Sequence, residues 1–183
     1  SELQAPVEEK KRSSDAFEQA YDCILKGKFK TAQKKFADIA KTSEKNEPLF
    51  ALMWLNYLGG YDNSAHQSSP SFGFFKNSPQ PTPFSEEIRK VDPKKLQELQ
   101  ESKEPSAHVG RFLGYIYVQG IGVAQNPKVA SEYFTQVLKH QDDDFFSLEQ
   151  RSVAYAQLEN YFGAIEDIEQ AIKLIAPTSP LQG

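Results

Sequence analysis

The chain has 183 residues, of which 39% are hydrophobic and 25% are charged, and its formal net charge is −4 at pH 7. This composition is that of an ordinary folded domain, and no apolar run approaches the ~18 residues that a membrane-spanning helix needs. An acidic chain without a basic stripe also lacks the electrostatic footprint of a nucleic-acid-binding protein. We therefore expect one soluble domain with no membrane span and no nucleic-acid partner.

The first residues and the cysteine content bear on the compartment. Cys23 is the only cysteine, so neither an intrachain disulfide nor a thiolate metal site can form. The chain starts at Ser1 rather than at methionine, which indicates that an upstream segment was removed and leaves a cleaved signal peptide open. We expect a bacterial protein that is cytoplasmic, or periplasmic or secreted after signal-peptide removal. Residues 1–14 are polar, without helical periodicity, and are predicted to be a flexible tail.

A first helical hairpin is predicted over residues 15–41. Asp15 and Glu18 have the spacing of a capping box, and apolar residues then follow at helical spacing as far as Gly27. A second helix is predicted from Phe29 to about Lys41. Glycine between two helical patterns is typical of a helix end and a turn.

A second hairpin is predicted over residues 47–102, with a long loop inside it at 60–85. Its first helix is apolar on every side and is expected to end at Gly59-Gly60. The loop is rich in proline and serine, and loops of this length are uncommon in compact domains and often functional. Ser85 is expected to cap the next segment, and the second helix is predicted from Lys94 to Ser102. We expect the loop's phenylalanines to pin it to the helices; they are Phe72, Phe74, Phe75 and Phe84.

A third hairpin is predicted over residues 106–139, around a glycine-punctuated turn. Gly114 lies in an apolar stripe, where the missing side chain lets a neighbouring helix approach closely. Gly120 and Gly122 allow the backbone angles that end the first helix. Asn126 followed by Pro127 predicts a cap and the first residue of the second helix.

The last hairpin is predicted over residues 145–175. Three aspartates, Asp142 to Asp144, precede it without the alternating spacing of a calcium loop, so we expect them to cap the helix. The second helix of this hairpin carries an apolar stripe at helical spacing. The stripe consists of Tyr161, Ala164, Ile165, Ile168, Ala171, Ile172 and Ile175.

These patterns resemble a known family of helical repeats. The third hairpin resembles the Sel-one-like repeat at Leu113-Gly114, Tyr117, Gly120, Gly122-Val123, Asn126, Ala130 and Tyr133-Phe134. The first and last hairpins resemble the related tetratricopeptide repeat at Gly27, Phe29, Ala32 and Phe36, and at Tyr161, Ala164, Ala171 and Pro177. The resemblance implies an all-α fold, a right-handed α-solenoid of about four antiparallel helix hairpins. It also implies a protein-interaction module that binds a peptide or protein segment in its concave groove.

In the resembling repeats the first helix of each pair lines the concave face, which implies a set of candidate protein-binding residues. They are Tyr21, Phe50, Trp54, Tyr57, His108, Arg111 and Tyr115, beside Phe17 and Phe146. Tyrosine, tryptophan and arginine dominate binding hot spots, although each of these residues could instead belong to the core. We expect Arg111 to be exposed and able to hold a carboxylate in its planar fork.

The sequence offers little support for catalysis. The histidines His66, His108 and His140 are far apart, and the helical zinc signature, the nucleophile elbow and the phosphate-binding loop are all missing. We therefore expect no metal, no cofactor and no enzymatic activity. The alternative left open is an enzyme or small-ligand binder that uses the loop at 61–84 as a lid. Neither the partner's identity nor the oligomeric state follows from the sequence.

Overall fold

The structure is a computed structural model that describes residues 16–42, 45–62, 82–103 and 105–175. All the regular secondary structure in these ranges is helical, which confirms the predicted all-α class. The helices are α1 (residues 16–25), α2 (Phe29–Ala40), α3 (Glu47–Asp62), α4 (Pro83–Arg89), α5 (Pro93–Glu101), α6 (Ala107–Gln119), α7 (Pro127–His140), α8 (Phe145–Gln157) and α9 (Tyr161–Ile175).

The chain divides into two compact units, Ser1–Ser85 and Glu86–Gly183, whose boundary falls within α4. A single repeat domain over 15–183 stays a prediction. The predicted tail at 1–14 lies outside the described residues. So does most of the loop at 60–85, with Phe72, Phe74 and Phe75, and therefore most of the proposed lid at 61–84.

In the first unit, α1 and α2 are joined by a tight turn at Gly27. Its φ of +74° is a left-handed conformation that glycine adopts without strain. The amide of Lys28 donates to the carbonyl of Cys23 at 2.8 Å and so satisfies a carbonyl at the end of α1. The turn therefore forms as the sequence predicts.

The core of the first unit is a group of aromatic rings. The ring of Phe36 in α2 stacks on that of Trp54 in α3, with 5.2 Å between centroids and 9° between planes. Phe17 in α1 packs 6.2 Å from Phe36, and Tyr21 packs 5.4 Å from Trp54. Tyr57 meets the edge of Trp54 at 5.9 Å. Since such rings are the largest apolar groups available, this group holds α1, α2 and α3 together.

The end of α3 and the start of α4 differ from the sequence prediction. The helix α3 continues past Gly59 to Asp62, because glycine inside a helix costs only about 1 kcal/mol. The cap of α4 is Thr82 rather than Ser85. The amide of Ser85 donates to Oγ1 of Thr82 at 3.1 Å, and the amide of Thr82 donates to Oγ of Ser85 at 2.9 Å. This reciprocal pair satisfies two amides at the start of the helix.

In the second unit, each helix from α6 to α9 packs on the next one, and α6 also packs on α8. The predicted caps of α7 and α8 are confirmed. Oδ1 of Asn126 accepts from the amide of Val129 at 3.2 Å, and Oδ2 of Asp144 accepts from the amide of Ser147 at 3.1 Å. Gly120, at φ +71°, ends α6.

The helices α6 and α7 cross where α6 carries two glycines. A Cβ atom on Gly114 would lie 2.5 Å from Cε1 of Phe134, and one on Gly110 would lie 2.6 Å from Cγ2 of Val137. Gly114 was therefore correctly predicted to lie at a helix crossing. Its neighbour there is the fully buried ring of Phe134, which has no free space to move into.

We expect Gly114→Leu to lower the free energy of unfolding by at least ~2 kcal/mol, because the new side chain must displace the Phe134 ring. Chemical denaturation of the parent and the variant measures this difference. Gly59→Leu is the matched control, since a Cβ at Gly59 meets nothing within 4 Å. Equal changes in stability for the two variants would contradict the assigned helix crossing.

Candidate functional site

The predicted binding residues of the first unit lie mainly in its aromatic core. Phe50, Trp54 and Tyr57 are buried, and Trp54 is only 2% exposed. Tyr21 is partly exposed. A partner could reach Tyr21 directly, whereas replacing Trp54 would first disturb the folding of this unit. Their role in binding stays a prediction.

The predicted residues of the second unit lie along one side of α6, at spacings of three and four residues. His108 is partly exposed, whereas Arg111 and Tyr115 are buried. The ring of Tyr115 lies 6.0 Å from that of Phe146 in α8. This side of α6 thus contributes to the packing between α6 and α8.

Our expectation that Arg111 is exposed is wrong. Its side chain forms a fork-like pair with Asp144, with 3.1 Å from Nε to Oδ2 and 2.7 Å from Nη2 to Oδ1. Nη2 also donates to Oε1 of Gln141 at 3.0 Å. The guanidinium does hold a carboxylate in the predicted geometry, but the carboxylate belongs to the same chain, 33 residues away.

Asp144 serves two elements at once. It caps α8 through the amide and the hydroxyl of Ser147, and it pairs with Arg111. Burial alone would raise the pKa of Asp144, but the charge of Arg111 and the hydrogen bonds from Arg111 and Ser147 outweigh it and lower the pKa. The carboxylate is therefore charged at neutral pH, and its role is structural.

His108 is held in its neutral form near this ion pair. Burial, reinforced by the positive charge of Arg111, lowers the pKa of His108 to about 4, while the charge of Asp144 acts in the opposite direction. A histidine with this pKa carries no charge at physiological pH, so it cannot act as a switch between pH 5 and 8.

A second ion pair joins α8 to α9 and was not predicted from the sequence. Arg151 holds Asp167 in a fork, with 2.7 Å from Nε to Oδ2 and 2.7 Å from Nη2 to Oδ1. Its Nη1 donates to Oγ1 of Thr135 in α7 at 3.2 Å, and its guanidinium lies over the ring of Tyr155. The only sequence signal was an acidic residue, Asp167, next to Ile168 of the apolar stripe of the last helix.

Three of the seven residues in the predicted apolar stripe of α9 are exposed, namely Tyr161, Ile165 and Ile172. The buried side of the helix carries Asp167 and Ala171, whereas five large apolar side chains are exposed. Four of them are Tyr161 (61% exposed), Phe162 (83%), Ile165 (57%) and Ile172 (48%); the fifth, Leu174 (37%), is turned away from these four by the helical period. We call the four, together with the half-buried Ile168 and Ile175, the α9 face. The sequence predicted most of these residues as an apolar stripe, but it gave no sign that the described part of the chain would leave their outer side uncovered.

Neither a cluster of metal-ligand side chains nor a membrane-spanning helix occurs in the described ranges. No group of three or more histidine, cysteine, aspartate or glutamate side chains in the described ranges could hold a metal ion. None of the helices described here combines the length and apolarity that crossing a bilayer requires.

Comparison with known proteins identifies no relative of this chain. No protein-family model matches it, no curated protein matches it and no solved structure matches it. The resemblance to helical repeats therefore rests on the residues alone.

The lowered pKa of His108 predicts a stability that depends on pH. In the unfolded chain this histidine protonates near pH 6.5, but in the folded chain only near pH 4. As the pH falls from 6.5 towards 4, the unfolded chain therefore gains a proton that the folded chain does not, and the folded state loses stability. We expect this group to cost about 2 kcal/mol of unfolding free energy between pH 7 and pH 5.

Urea denaturation at both pH values, on the parent and on His108→Gln, measures this contribution. The variant should lose less stability than the parent on acidification, by roughly that 2 kcal/mol. His140→Gln, which replaces an exposed histidine at the end of α7, is the control and should behave as the parent does. An identical pH dependence in all three proteins would contradict the assignment.

Proposed function

We propose that this protein is a non-enzymatic protein-interaction module, a solenoid of helical hairpins that binds a peptide or protein segment. The packing of the second unit supports the solenoid part of the proposal. There α6 packs on both α7 and α8, which are the second helix of its own pair and the first helix of the next. Arrays of helical hairpins are built by this kind of contact between neighbouring repeats.

The α9 face is the observation that carries the proposal. A large apolar residue has about 200 Å² of surface when fully exposed. At the exposed fractions of its four outward side chains, the α9 face therefore leaves roughly 500 Å² of apolar surface in water. The largest apolar patch on a typical monomer covers about 300–600 Å² and is often functional. Since the face is also continuous along one helix, protein binding explains it better than scattered surface hydrophobicity does.

The spacing of the α9 face indicates what kind of segment it binds. Tyr161, Ile165, Ile168 and Ile172 follow one another at intervals of three and four residues. This is the spacing by which one helix packs along another. We infer that the partner presents an apolar stripe of its own, most simply on a helix.

The groove predicted from the sequence remains part of the proposal, with a smaller accessible surface. Tyr21 and His108 are the only partly exposed members of its seven predicted residues. The other five, Phe50, Trp54, Tyr57, Arg111 and Tyr115, are buried. For this reason the α9 face is the better first place to test binding.

Phe162→Asp tests the proposal directly. Because Phe162 is 83% exposed, the substitution should change stability by less than ~0.5 kcal/mol while placing a charge at the N-terminal end of the face. We expect the loss of about 1–3 kcal/mol of affinity for the partner. Gln136→Asp adds the same charge on the exposed side of α7 and is the matched control.

The measurement has two stages. The parent and both variants are immobilised, and extracts of the native host are passed over them; proteins retained by the parent and the control, but lost by Phe162→Asp, are purified. Calorimetric titration of each purified protein then gives the affinity. If every retained protein, including this chain itself, binds Phe162→Asp as tightly as it binds the parent, the α9 face is not a binding site.

A further inference from the structure

We propose that the α9 face pairs with the α9 face of a second copy of this chain. The two α9 helices run antiparallel about a twofold axis and bury their apolar stripes against each other. This inference rests on the proposed function, because it names the partner of the surface that carries that function. Three properties of α9 support a second copy: the area of the face, the order of its charges and the register of its isoleucines.

The area of the face matches one side of a stable interface. Such interfaces bury about 800 Å² per partner, of which about 60% is apolar, or roughly 480 Å². The four exposed side chains of the α9 face supply about 500 Å². One copy therefore offers about as much apolar surface as its partner needs to cover.

The outer charges beside the face are complementary to themselves when the helix is reversed. Glu166 and Lys173 lie along one edge of the face, Glu166 before the middle of α9 and Lys173 near its end, while Glu169 lies between them, close to the twofold axis, where it faces its own copy. In an antiparallel pair the same edge of each helix faces its counterpart, with the order reversed. Glu166 of one copy then lies opposite Lys173 of the other, and the twofold axis repeats this pairing.

A register one residue away from this one aligns the apolar residues, and because one residue is only about 1.5 Å along a helix, Glu166 and Lys173 stay within reach of each other. With the twofold axis passing at position 170, Ile168 of one copy lies opposite Ile172 of the other. Ile165 of one copy then lies opposite Ile175 of the other. The interface therefore contains repeated isoleucine layers with the charged edge outside them, which is the arrangement by which paired helices exclude water.

Analytical ultracentrifugation of the purified chain over a wide concentration range tests the pairing. We expect a reversible monomer–dimer equilibrium in the parent. Ile165→Glu should weaken the dimer by about tenfold to a hundredfold, because the substitution buries an unpaired charge in each copy. Gln136→Glu, on the exposed side of α7, adds the same charge and should leave the dimer constant unchanged. Circular dichroism melting confirms that each variant is folded.

A charge exchange tests the antiparallel register. Lys173→Glu alone should weaken the dimer by about twofold to tenfold, because it sets two acidic edges against each other. Adding Glu166→Lys should restore the parent constant to within about twofold. Positions 166 and 173 are seven residues apart in α9, too far to pair within one helix, so recovery reports a contact between copies.

The outcomes separate the two proposals. A dimer that Ile165→Glu weakens and the charge exchange restores supports the pairing. A chain that stays monomeric, a dimer insensitive to Ile165→Glu, or a charge exchange without recovery overturns it. A monomeric chain that still retains another protein through Phe162 overturns the self-pairing and leaves the proposed function standing.

Discussion

The arrangement of the second unit depends on one buried ion pair, that of Arg111 with Asp144. The carboxylate of Asp144 starts α8 by accepting from Ser147, and the same carboxylate receives the fork of Arg111 from α6. Because one group satisfies both elements, the start of α8 is fixed relative to α6. The two residues are 33 positions apart in the chain, so the pair links a point within α6 to the cap at the start of α8.

The pair of Arg151 with Asp167 applies the same chemistry one step further along the chain. It joins α8 to α9 and adds a bond to Thr135 in α7. Removing two charges from water costs free energy that their attraction does not always recover, so a buried pair is weak evidence for high stability. Its effect is to favour one relative placement of the helices. With Asp167 on the buried side of α9, Tyr161, Phe162 and Ile165 are turned outward and form part of the exposed α9 face.

Features that depend on local chemistry were predictable from the sequence. The cap at Asn126, the turn at Gly120 and the start of α8 after Asp144 each involve residues close together in the chain. The all-α class follows from the same local patterns. Among the candidate site residues, the fork geometry of Arg111 was predictable because its side chain has no other shape.

Features that depend on distant residues were not predictable. The sequence does not say which carboxylate pairs with Arg111. It also does not say that Arg151 in α8 forms an ion pair with Asp167 in α9. The exposure of Ile165 could not be predicted either, because it depends on which other helices pack against α9. An apolar stripe looks the same in sequence whether a neighbouring helix covers it or not. Burial of Trp54 and Tyr115 likewise depends on the rings that surround them, which come from other helices.

A double-mutant cycle on Arg111 and Asp144 tests most directly whether their pair holds α6 and α8 together. Arg111→Met keeps much of the side-chain volume but leaves Asp144 buried and unpaired, whereas Asp144→Ser keeps an oxygen that caps α8. We expect Arg111→Met to cost about 3–5 kcal/mol of unfolding free energy. We also expect an interaction energy of at least ~1 kcal/mol between the two sites, so that the double variant is more stable than the sum of the single costs implies. Costs that add to within ~0.3 kcal/mol would contradict the central role of this pair.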